Sequence, residues 1–269
     1  MDLIIPSKAN LKIKYLGMDS IEKCHDPRYF LSYPYDVDYT YNSRGFRDAE
    51  WPENLSRAIW CIGDSFTLGL GAPVTHTWPS RLAKLTQRPT INISLDGASN
   101  EWIARTAGKI INNINPQHVV IMWSFTHRRE SNDLTLNDEQ RVLHYVKSTV
   151  EQDWQNFLNC RKDFNNIIEF AIPNFHLIDA DKTWNSVTDV TWPACPKTIK
   201  ELTALPTEIL HELKTLHRCY NELYHAIDCQ EQLNKYNVTV VKQVDYSRDG
   251  FHFDIVTADW VAAQVQHRL

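Results

Sequence analysis

The chain has 269 residues, 43% of them hydrophobic and 23% charged, with a formal net charge of −5. That length and apolar content suffice for the core of one large α/β unit, while the mixed charge leaves no basic footprint for nucleic acid. No run approaches the ~18 apolar residues of a membrane-spanning helix. Six cysteines (Cys24, Cys61, Cys160, Cys195, Cys219 and Cys229) lack Cys-x-x-Cys spacing, and the apolar patch at residues 1–6 is too short for a signal-peptide core. Reduced thiols and a cytoplasmic location are therefore expected.

In chain order, residues 1–50 are rich in Tyr, Pro and Asp (Tyr29, Tyr33, Pro34, Tyr35, Tyr39, Tyr41) and lack helical periodicity. They read as an extended N-terminal arm, with one or two short strands, packed on a main unit spanning 51–269. Strands and helices then alternate. The apolar run 58–62 predicts a first strand over 57–62, and Thr77-Trp78-Pro79 caps and opens a helix to about Leu85. Residues 90–94 form a short strand, and 99–113 a helix capped by Ser99 with apolar residues at helical spacing. The continuous apolar run 118–123 predicts a strand covered on both faces. A long helical region over 137–161, a strand at 166–172, helix over 206–233, a strand at 238–244 and a closing helix over 254–267 complete the pattern. Such alternation predicts a three-layer α/β/α sandwich around a parallel sheet of about five strands, flavodoxin-like in type. Residues 174–205 break the alternation and carry Trp184, Trp192, Pro193, Cys195 and Pro196. An insertion that serves as a lid or substrate wall and one packed by its own tryptophans are both consistent with that composition.

The chemistry-bearing residues lie just beyond predicted strand ends, where ligands of such sheets bind. Gly63-Asp64-Ser65 follows the first strand: glycine permits a sharp turn, and the serine opens a helix whose first N–H groups lack internal partners. Asp249-Gly250-Phe251-His252 precedes the last helix, and a carboxylate three residues before an imidazole can orient it. Ser65 is thus the candidate nucleophile, His252 its base and Asp249 the orienting acid, with Asp245 and Asp254 as competing carboxylates. Asp64 is expected to shape the turn by accepting backbone N–H groups. Gly69-Leu70-Gly71 lacks the lysine of a phosphate loop, and His211 and His217 stand six apart, wrong for a zinc-binding His-Glu-x-x-His helix.

These residues resemble the SGNH (GDSL-type) hydrolase family from about Asn42 to the C-terminus. Asn42-Ser43-Arg44-Gly45-Phe46-Arg47-Asp48 is similar to the family's N-x-x-G-F-R lead-in, and Gly63 to Gly69 matches its serine block. Asp96-Gly97-Ala98-Ser99 resembles the glycine block, and Asp249 to His252 matches the Asp-x-x-His block. One block departs: where the family carries Gly-x-Asn-Asp, this chain reads Ser124-Phe125-Thr126-His127. The resemblance implies an oxyanion hole built from the N–H groups of Ser65 and Gly97, with the Thr126 hydroxyl or the charge of Arg128 in the asparagine's stead, and Asn132, six residues on, as the alternative if the loop folds back. Removing one such donor costs ~10²–10³ in turnover.

The expected function is serine esterase chemistry on small acyl esters, including O-acetyl groups on carbohydrate, as the resemblance implies. An acyltransferase using the same triad is the alternative within enzymes, and a non-catalytic binding protein on the same scaffold the alternative of another class. No metal or organic cofactor, nucleic acid or membrane partner is implied, and the oligomeric state is left open. Arg128 and Arg129 sit at the same edge. Binding an anionic substrate group, most directly through Arg128, and pairing with nearby acids such as Glu130 and Asp133 fit them equally well.

Overall fold

A computed structural model of the protein describes residues 3–15, 37–164, 166–173, 180–188, 191–216 and 218–269. The expectations on Cys24, Tyr29, Tyr33, Pro34, Tyr35 and His217, and on 174–179 and 189–190 of the insertion, lie outside the described residues.

In chain order the elements are β1 (Lys12–Tyr15), β2 (Val37–Thr40), β3 (Ile59–Gly63), α1 (Ser65–Leu68), α2 (Trp78–Thr86), β4 (Thr90–Ser94), α3 (Asn100–Ile114) and β5 (His118–Trp123). They continue with β6 (Arg128–Arg129), α4 (Asp138–Arg141), β7 (His144–Tyr145), α5 (Val150–Arg161), β8 (Ile168–Ala171), α6 (Ala180–Val187) and α7 (Ile199–Thr203). The last are α8 (Thr207–Thr215), α9 (Arg218–Lys235), β9 (Thr239–Val240) and α10 (Ile255–Arg268).

Five strands form one parallel sheet in the order β4-β3-β5-β8-β9. The chain steps outward from β3 to β4, then reverses and adds every later strand on the other side. Right-handed crossovers then require α2 on one face and α3 and α5 on the other. Packing agrees: α10 runs along α2, tied by a bidentate Arg81–Asp259 pair at 2.5 and 3.0 Å, while α3 packs against α5. This is the expected three-layer architecture. All five β3 residues are buried, as are the last five of β5, because helices cover both faces of the central strands. The reversal between β3 and β5 creates the crevice at the carboxyl edge where such sheets bind ligands.

The run 137–161 is not one helix. Asn137 with Gln140, and Thr149 with Gln152, each form a reciprocal capping box, so the sequence carries two helix starts inside one amphipathic stretch. Between them β7 pairs antiparallel with β6. The strand expected at 238–244 shortens to two residues. Beyond Val241 the chain turns toward the last helix, where the Asp245 carboxylate accepts N–H groups from Val256 and Thr257 and so caps α10.

The described part of the N-terminal region pairs β1 antiparallel with β2 and places Leu3, Ile5 and Phe46 in the main core. Tyr39 and Tyr41 form a smaller cluster with Leu68, the last residue of α1, and with Leu70 just beyond it. The described part of the insertion contains two helices the sequence did not announce. Trp184 and Leu202 bury themselves against Leu213, Leu223 and Ile227, a core separate from the main one, with Trp192 edge-on to Trp184 at 5.4 Å. Among the described residues no helix is long and apolar enough to cross a membrane, and no group of three His, Cys, Asp or Glu could hold a metal ion.

Candidate active site

β3 ends at Gly63, where no side chain fits: a Cβ would lie 2.1 Å from Thr67 Oγ1 and 3.0 Å from the Met122 carbonyl oxygen of β5. The next two residues form the turn. Asp64 caps the single helical turn of α1, its Oδ1 accepting the Phe66 N–H at 3.0 Å, and Ser65 stands at the first helical position, 2% exposed. The segment after α1 is held from outside. Arg47 reaches in and donates to the carbonyls of Leu68 (3.0 Å), Gly69 (2.7 Å) and Ala72 (2.7 Å), while the Asn42 side-chain oxygen accepts the N–H groups of Arg44 and Phe46. That is the physical use of the Asn42–Arg47 lead-in: its arginine satisfies buried carbonyls that one short helix cannot.

At the opposite end of the chain, His252 Nε2 lies 2.8 Å from Ser65 Oγ, and His252 Nδ1 lies 2.5 Å from Asp249 Oδ2. A nitrogen facing a carboxylate carries the proton, which leaves Nε2 as the acceptor toward the serine. Asp249 is fully buried. Its other oxygen accepts from Ser247 Oγ and from the N–H groups of Phe251 and His252 at 2.8–2.9 Å. Burial alone would raise the Asp249 pKa, but the bonds and charge of His252 and these N–H groups outweigh it and hold the carboxyl below its ordinary value. The competing acids are occupied elsewhere: Asp245 caps α10, and Asp254 meets His76 Nδ1 at 2.8 Å. Phe66 packs on the imidazole with ring centroids 4.5 Å apart, and Phe251 stands edge-on to it at 5.1 Å.

Gly97 lies in the turn closed by the Ala98 N–H to the Leu95 carbonyl, with Leu143 packed where a Cβ would point, 3.1 Å away. Among the described residues neither the Ser65 nor the Gly97 N–H donates to a protein acceptor. Thr126 is half-buried in the loop after β5, its carbonyl accepting from Arg129. Asn132 is exposed and lines a different cavity, with Arg129, Arg141 and His144, away from the serine and histidine contacts just described.

The arginines pair with acids, though not with the ones expected. Arg128 Nη1 is 3.0 Å from Asp64 Oδ2 and 3.0 Å from Ser124 Oγ, and its guanidinium lies over the Phe125 ring. Arg129 pairs with Asp153 at 2.5 Å, while Glu130 is taken by Arg105 and Arg141. Burial pushes the Asp64 carboxyl up from its ordinary value; Arg128, Ser124 and the Phe66 N–H pull the other way without cancelling it. Two contributors were missed in the sequence. Ser124 donates to Asp64 Oδ2 at 2.6 Å, and fully buried Asn100 clamps the loop after β5 by accepting the Ser124 N–H and donating to the Ser124 and Phe125 carbonyls. The one available signal was an amide at the start of an otherwise apolar helix face.

No protein-family profile matches the chain, and no curated protein matches it. Among solved structures it is similar to a member of the lipolytic protein G-D-S-L family from Veillonella parvula (12% identity, 79% of this chain and 100% of that one, TM-score 0.40). It is similar also to a lipase/acylhydrolase from Enterococcus faecalis (13%, 78% and 94%, TM-score 0.38) and to an aryl esterase of M. smegmatis in its inhibitor-bound form (14%, 79% and 100%, TM-score 0.39).

Proposed function

We propose that the protein is a serine esterase acting on small acyl esters, with residues 51–269 as the catalytic unit and 1–50 as an arm packed on it. The observation that carries this reading is the continuous line Ser65 Oγ to His252 Nε2 (2.8 Å) and His252 Nδ1 to Asp249 Oδ2 (2.5 Å). Such a line can activate the serine for acyl transfer, here to water. Ser65 Oγ attacks the ester carbonyl as its proton passes to His252 Nε2; the tetrahedral intermediate collapses, and Nε2–H protonates the departing alkoxide. Water attacks the acyl-serine next, giving its proton to the same nitrogen, and Ser65 recovers that proton as the carboxylic acid leaves. The imidazolium formed in each half-reaction is stabilised by Asp249, whose low pKa keeps it ionised.

The unpaired N–H groups of Ser65 and Gly97 are the proposed oxyanion donors, with the Thr126 hydroxyl as the third. In this reading Arg128 does not bind substrate. With its side chain 11% exposed and aimed at Asp64, it positions the loop that carries Thr126. The experiment is hydrolysis of p-nitrophenyl acetate by wild type and Ser65→Ala. The expected result is a loss of at least ~10³-fold in kcat with unchanged circular dichroism. Full turnover by a folded Ser65→Ala protein would end the reading.

A further inference from the structure

We propose that Leu143 is the wall of the site on the acyl side, and that this one side chain sets how long an acyl chain the protein accepts. The inference rests on the serine-esterase reading above and names the residue that keeps its substrates short.

Leu143 touches the site on one side and is uncovered on the other. Gly97 is buried, and a Cβ on it would lie 3.1 Å from Leu143 Cβ and 3.3 and 3.5 Å from Cδ2 and Cδ1. The leucine is thus laid along the backbone whose N–H is a proposed oxyanion donor. Yet Leu143 is 46% exposed, so the isobutyl group that covers Gly97 has a surface left for a ligand.

Which part of the ester meets that surface follows from the two faces of the sheet. The tetrahedral carbon carries Ser65 Oγ, the oxyanion, the leaving oxygen and the acyl chain. The leaving oxygen must reach His252 Nε2 for its proton. His252 stands just before α10, which packs along α2 on one face of the sheet. Leu143 comes from the other face. It lies between α4 and α5, in a segment tied to the opposite helix layer by Arg129–Asp153 (2.5 Å, to α5) and Arg105–Glu130 (2.5 Å, to α3). With the oxyanion held on the N–H groups of Ser65 and Gly97, the alcohol leaves toward the α2 layer. The acyl chain then points toward the α3 layer, where Leu143 stands.

The wall is anchored. Val142, the preceding residue, is 1% exposed and belongs to the main core, so its burial fixes the backbone from which Leu143 projects. Lys8 of the N-terminal arm holds the same segment from outside through Glu139, at 3.0 Å. An acyl chain that reaches Leu143 must therefore displace a residue bound to the core.

An apolar groove without a wall would reward chain length by up to ~4-fold per added methylene, the worth of burying one CH₂ group. A wall reverses that trend. The test measures kcat/KM for p-nitrophenyl acetate and p-nitrophenyl hexanoate. Wild type should favour the acetate by ~10-fold or more, and Leu143→Ala should cut that preference by ~10-fold or more through a gain on hexanoate. Phenyl acetate and 2-naphthyl acetate, which differ only on the alcohol side, should keep their wild-type ratio in the variant. Three results would each overturn the inference: a wild-type preference for hexanoate, an acetate-to-hexanoate ratio untouched by Leu143→Ala, or an equal change in the phenyl-to-naphthyl ratio. Should Leu143→Ala not fold by circular dichroism, Leu143→Val is read in the same way, with a ~3-fold shift expected in the same direction. If wild type hydrolyses none of the four esters, the esterase reading fails and this inference falls with it.

Discussion

Arg128 and Asp64 form a buried ion pair, 3.0 Å from Nη1 to Oδ2, that joins the loop after β5 to the residue before Ser65. Ser124 bridges the two, donating to Asp64 and accepting from Arg128. One carboxylate thus caps the helical turn carrying Ser65 with one oxygen and anchors the loop carrying Thr126 with the other.

Removing Arg128 should leave that carboxylate buried without its counter-charge, a loss of ~3–5 kcal/mol for pairs of this kind. Arg128→Gln is therefore expected to unfold at markedly lower denaturant. Asp64→Asn/Arg128→Gln should recover part of the loss, because the charge has gone with its partner. Urea titrations of both variants measure this, and a double variant no more stable than Arg128→Gln would show that the charge is not what matters.

Thr126 is the proposed side-chain donor to the oxyanion. Thr126→Val should lower kcat by ~10-fold or more with little change in KM, because a bond to the oxyanion strengthens in the transition state. Thr126→Asn should hold or raise kcat. Wild-type kinetics in Thr126→Val together with a loss in Asn132→Ala would move the donor to Asn132.

Gly71 packs the serine loop against Ser247 and Asp249. At φ +72° its missing Cβ would fall 2.5 Å from Ser247 Oγ and 2.9 Å from the Asp249 backbone nitrogen. Gly71→Ala must then strain its own backbone by ~1–2 kcal/mol and displace the Asp249 loop. The expected outcome is a fall in kcat of ~10-fold or more, exceeding what the drop in melting temperature explains. Unchanged kcat would mean the loop absorbs the methyl group without moving His252.

Asp48 sets a pH dependence of stability. Burial, opposed by the Asn92 and Ala49 N–H groups, raises its pKa from 3.8 to about 6. Between those values the folded protein binds more protons than the unfolded chain, so this contribution is complete below pH ~4 and is lost as pH rises through ~6. The melting temperature of Asp48→Asn relative to wild type should therefore climb between pH 4 and pH 7. A constant difference across that range would contradict an elevated Asp48 pKa.

The sheet and the Ser65, His252 and Asp249 line were legible because each leaves a local mark. Buried parallel strands read as continuous apolar runs, and Gly63-Asp64-Ser65 and Asp249-x-x-His252 are fixed by turns a few residues long. The break in 137–161 was written in two capping boxes, but amphipathic spacing on both sides masked it. What stayed hidden depends on contacts distant in sequence. Arg128 is paired with an acid 64 positions away rather than with its neighbour Glu130, and Asn100 clamps a loop 24 positions on. No periodicity encodes such partners. The small core around Trp184 was equally unreadable, since its residues come from four separate helices whose faces complement one another only once docked.

The central claim is that His252, oriented by Asp249, makes Ser65 nucleophilic. It is tested most directly by treating the intact protein with a fluorophosphonate and locating the adduct by peptide mass spectrometry in wild type, His252→Ala and Asp249→Asn. The account predicts one adduct, on Ser65, formed rapidly in wild type and slowed by ~10³-fold or more in both variants. Labelling of Ser65 at the wild-type rate without His252, or no labelling of Ser65 in the wild-type protein, would contradict it.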